Sequence, residues 1–261
     1  MSLLRATALR RTYPATPRGA FGSARRVSAV NGVDLDLAAG ERVGVVGESG
    51  CGKSTLLRLL LALETPDAGS VHYRDRQVRP DRAGRLRWFR SEVQMIPQDP
   101  WSSLNPRMRV GDAVAEPLRC LRIPGERDER VAEVLRTVGV EPEMATHRPG
   151  EFSGGQRQRI AIARALAPSP RFLLADEPVT ALDASVRSRV LHFLRELVER
   201  EGLGLLLVTH DLAVVRQLCD RVLVMRAGEI VERGSTAEIF GAPRHDYTRT
   251  LLSSVPRLAD V

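Results

Sequence analysis

Gly47-Glu48-Ser49-Gly50-Cys51-Gly52-Lys53-Ser54-Thr55 decides how this 261-residue chain is read, because it fits the spacing G-x-x-x-x-G-K-[ST] of a phosphate-binding loop. Its flanks agree with that reading. Glu41-Arg42-Val43-Gly44-Val45-Val46 has the short β-branched character of a buried parallel strand, and Leu56, Leu57, Leu59, Leu60, Leu61 and Leu63 are expected to fill a helix. Glycines let the backbone N–H groups of such a loop turn inward around phosphate oxygens, and the helix N-terminus adds the positive end of its dipole. Lys53 would reach the β- and γ-phosphates, and Ser54 would supply a ligand to Mg2+. The competing reading is a glycine turn that happens to precede a helix containing lysine. At average composition the pattern arises by chance in roughly 1% of chains this long. Composition lowers that further, since Lys53 is the only lysine among 39 Lys and Arg residues. A compact ammonium on a flexible stem slides under a phosphate where a guanidinium fork does so poorly.

The length suits a full α/β core with a small subdomain, and the charged fraction of 27% is that of a water-soluble surface. No apolar run approaches the ~20 residues that span a bilayer, and Met1-Ser2-Leu3-Leu4-Arg5 lacks the apolar stretch of a secretory leader. Cys51, Cys120 and Cys219 stand singly, so a reduced cytoplasmic chain without structural zinc is expected. The net charge of +7 is spread along the whole sequence, and aromatic residues make up 4% of it, which argues against a nucleic-acid interface. Weak attraction to an anionic membrane surface fits this pattern better.

Along the chain, residues 3–13 read as a strand ending at Tyr13-Pro14, followed by a basic loop and a second strand around Val33–Leu37. Tyr13 has two open readings, a ring that stacks on adenine or one that packs in this β layer. Ser70–Tyr73 adds a strand to the same layer. Residues 83–91 read as a helix, and Val93–Pro97 as a short strand that delivers Gln98 to the sheet edge, where a metal or a water at a nucleotide could meet it. Residues 101–168 turn helical, with helices at Val110–Arg122, Arg127–Val138 and Gly155–Ala167 punctuated by Pro106, Pro117, Pro124, Pro142 and Pro149. Within them Ser153, Gly154, Gly155 and Gln156 open an arginine-rich helix, either as an anion site or as an ordinary serine cap. Arg171–Pro178 reads as a buried strand ending in two carboxylates. Strand alternation would let Asp176 hold Mg2+ and Glu177 polarise an attacking water. Asp183 is expected to cap a helix over 184–200. Leu203–Val208 reads as a strand leading to His210, placed either to contact a γ-phosphate or as a turn residue, and Asp211 as a further cap. A hairpin around Ala227-Gly228 and short helices at 235–240 and 245–253 complete the reading.

Together these motifs resemble an ATP-binding-cassette ATPase, in that family's order and over essentially the entire chain. The resemblance implies an α/β P-loop NTPase (RecA-like) core with a small antiparallel β layer and an inserted helical subdomain. In it 1–97 and 169–234 form the core, 98–168 the helical insertion and 235–261 a tail. Residue by residue, Tyr13 resembles the adenine platform, Gly47 to Thr55 the Walker A loop and Gln98 the Q-loop glutamine. Ser153, Gly154, Gly155 and Gln156 resemble the family signature, with Phe152 where Leu is usual. Asp176 and Glu177 resemble Walker B and the catalytic base, Asp183 the D-loop acid and His210 the switch histidine. ATP and Mg2+ are the implied cofactors. ATP would close two cassettes against each other, each signature helix covering the nucleotide on its partner.

A narrower similarity is to the oligopeptide/dipeptide permease branch, which also includes nickel importers. It is carried by the basic loop between Tyr13 and Val27, by Asp99-Pro100-Trp101-Ser102-Ser103-Leu104-Asn105-Pro106-Arg107, and by the tail Pro243–Leu252, where Asp246 departs from the usual His-Pro-Tyr-Thr. Some relatives continue past the position of Pro256 into a cysteine-bearing extension. The branch implies integral membrane permease subunits as partners at the cytoplasmic face of the cell membrane. It also implies a second cassette, identical or not, and an extracytoplasmic substrate-binding protein acting indirectly. Oligopeptides or dipeptides are the implied cargo and nickel the alternative. A soluble cassette acting on nucleic acid or ribosomes, and a regulatory subunit that only binds ATP, are the rival functions. The first usually carries two cassettes, zinc cysteines or a coiled-coil insertion, and Glu177 with His210 argues against the second.

Overall fold

The computed structural model describes residues 2–14, 26–99, 103–180 and 182–253. The basic loop after Tyr13, Pro100-Trp101-Ser102, Ala181 and the end beyond Ser253 lie outside these. The chain divides into two compact units, Met1–Pro80 with Leu207–Val261, and Asp81–Leu206.

In the first unit β1 (Ser2–Pro14) pairs antiparallel with β2 (Arg26–Ala38) and with β4 (Ala68–Tyr73), and β5 (Arg76–Val78) extends the sheet to the order β2-β1-β4-β5. Leu4, Ala6 and Leu9 are buried beside Val33, Leu35 and Leu37. Period-two alternation would place Ala6 and Leu9 on opposite faces. A register shift between them, with Ala8 at φ 48° and its N–H donating to Asp34 Oδ1 at 2.7 Å, turns Leu9 back into the core. That bulge has no sequence signature.

The same unit carries β3 (Arg42–Val46), parallel to β9 (Arg221–Arg226), with β10 (Glu229–Ser235) antiparallel at the outer edge. Strand β8 (Gly204–Thr209) follows β3 in the order β10-β9-β3-β8 and continues into the second unit. Helix α1 (Lys53–Leu60) leaves the loop after β3. It is shorter than the leucine run suggests, because Ala62 adopts φ 51° and the chain turns away. Leu61 stays buried, whereas Leu63 lies outside the helix and is 53% exposed, so it does not fill the helix as expected.

In the second unit a 3-10 turn (Ala83–Leu86) runs into α2 (Arg87–Glu92), then β6 (Val93–Ile96) lies parallel to β7 (Phe172–Asp176), with β8 beyond β7. Gly204 is required there, since a Cβ would stand 2.2 Å from the Phe172 ring. Helices α3 (Val110–Leu121), α4 (Arg127–Thr137) and α5 (Gly154–Leu166) form in the stretch expected to be helical, and α6 (Ala184–Glu201) follows β7. Pro117 sits inside α3 instead of punctuating it. The first unit then resumes with α7 (Leu212–Leu218), α8 (Thr236–Gly241) and α9 (Asp246–Ser253). Among the described residues no helix is long and apolar enough to cross a membrane.

Candidate active site

The phosphate loop is shaped by backbone that leaves no room for side chains. A Cβ on Gly47 would stand 2.1 Å from the Met225 carbonyl oxygen, and one on Gly52, whose φ is +114°, 1.9 Å from that of Ala29. Neither oxygen can swing aside, so both positions need glycine. The turn between β9 and β10 supports the loop as well, the Gly228 N–H donating to the Cys51 carbonyl at 2.9 Å. Lys53 is 5% exposed, and its Nζ donates to the Gly47 and Glu48 carbonyls at 2.8 and 2.9 Å. The Glu48 N–H donates to the Tyr247 hydroxyl at 3.1 Å. Three of the loop's carbonyls are thus engaged, two of them by the Lys53 ammonium. This cradle fits a polyphosphate. Burial pushes the Cys51 thiol up in pKa, against the opposite pull of Lys53, so the thiol stays neutral beside it.

Two other expected residues belong to this unit. His210 is exposed directly after β8, the neighbour of β3, and Asp211 caps α7 by accepting from the Ala213 and Val214 N–H groups at 2.9 and 3.4 Å. Tyr13, at the end of β1, donates its hydroxyl to Glu64, and Arg11 lies 5.0 Å from its ring centroid. That hydrogen bond is the largest influence holding the Glu64 carboxyl below its usual range.

In the second unit the parallel register Ile96↔Ala175 carries Gln98 and Glu177, each two residues further on, to the same edge. Gln98 Nε2 donates to Glu177 Oε2 at 3.4 Å, and Thr180 Oγ1 donates to the same oxygen at 3.2 Å. Asp176 is the last residue of β7, whereas Glu177 has left the strand with φ +45°. Asp176 therefore ends the strand and Glu177 opens a left-handed turn. Such a backbone costs a non-glycine residue about 1–3 kcal/mol and persists where its surroundings impose it.

Ser153 and Gln156 form a reciprocal cap at the start of α5, Ser153 Oγ accepting from the Gln156 N–H at 3.3 Å and Gln156 Oε1 from the Ser153 N–H at 2.9 Å. Both side chains are exposed. Gly155 also has a packing role, since a Cβ there would meet Val186 Cγ1 of α6 at 2.5 Å. Phe152 is buried and stands edge-on to His147. Asp183 caps α6 as expected, accepting from the Val186 N–H at 3.0 Å and from Ser185 Oγ at 2.9 Å, and those bonds hold its carboxyl below the usual range.

Residues 30–180 match the family model described as ABC transporter. The chain belongs to the ABC transporter family. It is an ATP-binding-cassette ATPase with a P-loop NTPase fold. Residues 231–261 match a second model, the C-terminal region of oligopeptide/dipeptide transporters. The cassette is 42% identical to the dipeptide transport ATP-binding protein DppF of Haemophilus influenzae, over 98% of this chain and 79% of that one. It is 46% identical to the oligopeptide transport ATP-binding protein OppF of Escherichia coli, over 89% and 70%. Among solved structures, the cassette MJ0796, a dimer in a post-hydrolysis state bound to ADP and Pi, superposes with a TM-score of 0.76 at 30% identity, covering 89% of this chain and 98% of that one. The protein cbiO1 of Clostridium perfringens gives 0.77 at 27%, covering 92% and 91%.

Several residues that hold this cassette's loops escaped the sequence reading. Ala29 and Met225 wall the phosphate loop through backbone atoms, which leave no trace in side-chain patterns. Arg157, 5% exposed, donates to the Pro149 and Gly150 carbonyls at 2.6 and 3.2 Å and so fixes the segment leading into the signature. Its only signal was an arginine on an otherwise buried helix face.

Proposed function

We propose that this cassette is the ATP-hydrolysing subunit of a membrane importer for oligopeptides or dipeptides, held at the cytoplasmic face of the membrane by permease subunits. The observation that carries the reading is the transporter-specific C-terminal match over 231–261 on a chain whose Gly47–Thr55 loop seats the Lys53 ammonium against two of its own carbonyls. In this reading Lys53 neutralises the β- and γ-phosphates. Glu177 takes a proton from the water whose oxygen attacks the γ-phosphorus as its bond to the β-phosphate oxygen breaks, while Gln98 orients that water and His210 donates to the γ-phosphate. Among the described residues no group of three or more His, Cys, Asp or Glu is set to hold a metal. Mg2+ takes one or two protein oxygens and completes its shell with phosphates and water. Ser54, Gln98 and Asp176 are the residues assigned to it, and it would neutralise charge on the phosphoryl group. Tyr13 is assigned to adenine through the ring face away from Arg11.

Two cassettes acting on each other's nucleotide is the companion proposal, supported by the dimeric neighbour. Asp183 would lie at that interface, and the exposed Ser153–Gln156 start of α5 would face the partner's γ-phosphate. Ser153→Asp keeps a capping side chain but sets a negative charge against that phosphate. ATP binding to the isolated chain is expected to stay within about twofold, and steady-state hydrolysis to fall at least about tenfold. Loss of ATP affinity in the isolated variant would make Ser153 a local cap only.

Coupling to transport is assigned to a cleft of ≈ 300 Å³ in the second unit, bordered by Gln94, Met95, Pro97, Pro117 and Arg164, where a permease's cytoplasmic helix would seat. Relatives include both OppF and OppD proteins, so a second, non-identical cassette is the expected partner. Coexpression with neighbouring permease and cassette genes, followed by intact-complex mass measurement and uptake assays, tests all of this. One copy of this chain beside one other cassette, with peptide uptake, is the expected outcome. Two copies refute the pairing, nickel uptake refutes the cargo, and association with ribosomes instead of a permease refutes the importer.

A further inference from the structure

The sequence marks Tyr247 only as part of a branch-specific tail, yet its side chain reaches the phosphate loop. The ring is 6% exposed, the Arg226 guanidinium lies 4.9 Å from its centroid, and its hydroxyl accepts from the Glu48 N–H at 3.1 Å. Burial pushes the phenol up in pKa, so the acceptor is the neutral hydroxyl.

The helix bearing it is fixed by contacts that owe nothing to the loop. Glu232 accepts from the Arg244 and His245 N–H groups at 2.7 and 3.1 Å, and His245 Nδ1 accepts from the Tyr247 N–H at 3.1 Å. Arg249 Nη1 donates to the Pro243 and Arg244 carbonyls at 2.9 and 2.8 Å, Asp246 pairs with Arg249, and Thr248 is 1% exposed. Asp246 is thus an exposed partner of Arg249, and Tyr247 and Thr248 remain buried.

We propose that Tyr247 is a positioning residue for nucleotide binding, holding the Glu48-Ser49-Gly50 arc of the phosphate loop in place and linking loop occupancy to the C-terminal helix. The proposal rests on reading Gly47–Thr55 as the ATP site. Gly52 and Gly47 are pinned by Ala29 and Met225, and Cys51 by Gly228, but the exposed Glu48-Ser49-Gly50 arc has the Tyr247 hydroxyl as a tie to a separate element. A loop already in its bound shape loses less conformational entropy when ATP enters. By linkage the coupling runs both ways, and bound ATP must stabilise the helix by the same factor.

Tyr247→Phe removes one atom and keeps the ring, its burial and the arginine over it. For the full chain, the Kd of a fluorescent non-hydrolysable ATP analogue is expected to rise about 3- to 10-fold. KM should rise alongside it in steady-state hydrolysis, with kcat within twofold. Hydrogen exchange of the amides of α9 should slow when the analogue binds wild type, and less so in the variant. A residue that merely packs would lower thermal stability equally with and without analogue and leave Kd, KM and the exchange response unchanged; that result overturns the proposal. Lys53→Ala measured in parallel separates the two claims. If it binds the analogue as wild type does, the ATP-site reading fails and the inference with it, whereas loss of binding there with an unaltered Phe variant refutes Tyr247 alone.

Discussion

Glu177→Gln is expected to lower steady-state ATP turnover about a hundredfold, the ~3 kcal/mol typical of removing one preorganised charge-stabilising group, with ATP affinity within about twofold of wild type. The separation follows from the geometry. An amide keeps the size of the carboxylate and an oxygen that still accepts from Gln98 and Thr180, so the edge beyond β6 and β7 is preserved. What disappears is the ability to take a proton from water. The left-handed backbone at residue 177 is equally costly for either side chain, so thermal stability should not change. Single-turnover and steady-state assays beside nucleotide binding check this, and undiminished hydrolysis would remove Glu177 from its role.

Lys53→Ala acts on the earlier step and is expected to weaken ATP binding roughly 30- to 100-fold, corresponding to ~2–3 kcal/mol for lost hydrogen bonds to charged groups. The Lys53 ammonium is seated between two carbonyl oxygens and 3.9 Å from the Cys51 sulfur. Alanine empties that seat. Arginine does not refill it, because a planar fork needs width that the crowded glycine turns deny, so Lys53→Arg should bind ATP weakly too. Equilibrium titration with a fluorescent nucleotide decides both variants, and wild-type affinity in Lys53→Ala would refute the phosphate-loop assignment.

Local chemistry was legible from the residues alone. The loop glycines, the capping acids Asp183 and Asp211, the hairpin at Ala227-Gly228 and the serine before α5 each act within a few positions of themselves, and each stands where its spacing placed it. The short strands were legible for the same reason, since buried β-branched runs have few alternatives. Less legible was where elements stop. The leucine run after the loop continues beyond α1, because hydrophobicity persists where a backbone turn at Ala62 ends the helix.

What the sequence by itself determined is the reaction class, through a lysine among glycines at a strand end, two carboxylates at another, and a glutamine and a histidine at two more. Only tertiary structure decided which of these meet. Strand order makes β6 the neighbour of β7 and so brings Gln98 to Glu177, 79 positions away; a bulge turns Leu9 inward; and the fold returns Tyr247 to Glu48 across 199 positions. Such contacts join backbone or single atoms across long separations. No local periodicity encodes them, because they are fixed by how whole elements pack and not by the propensities of the residues that touch.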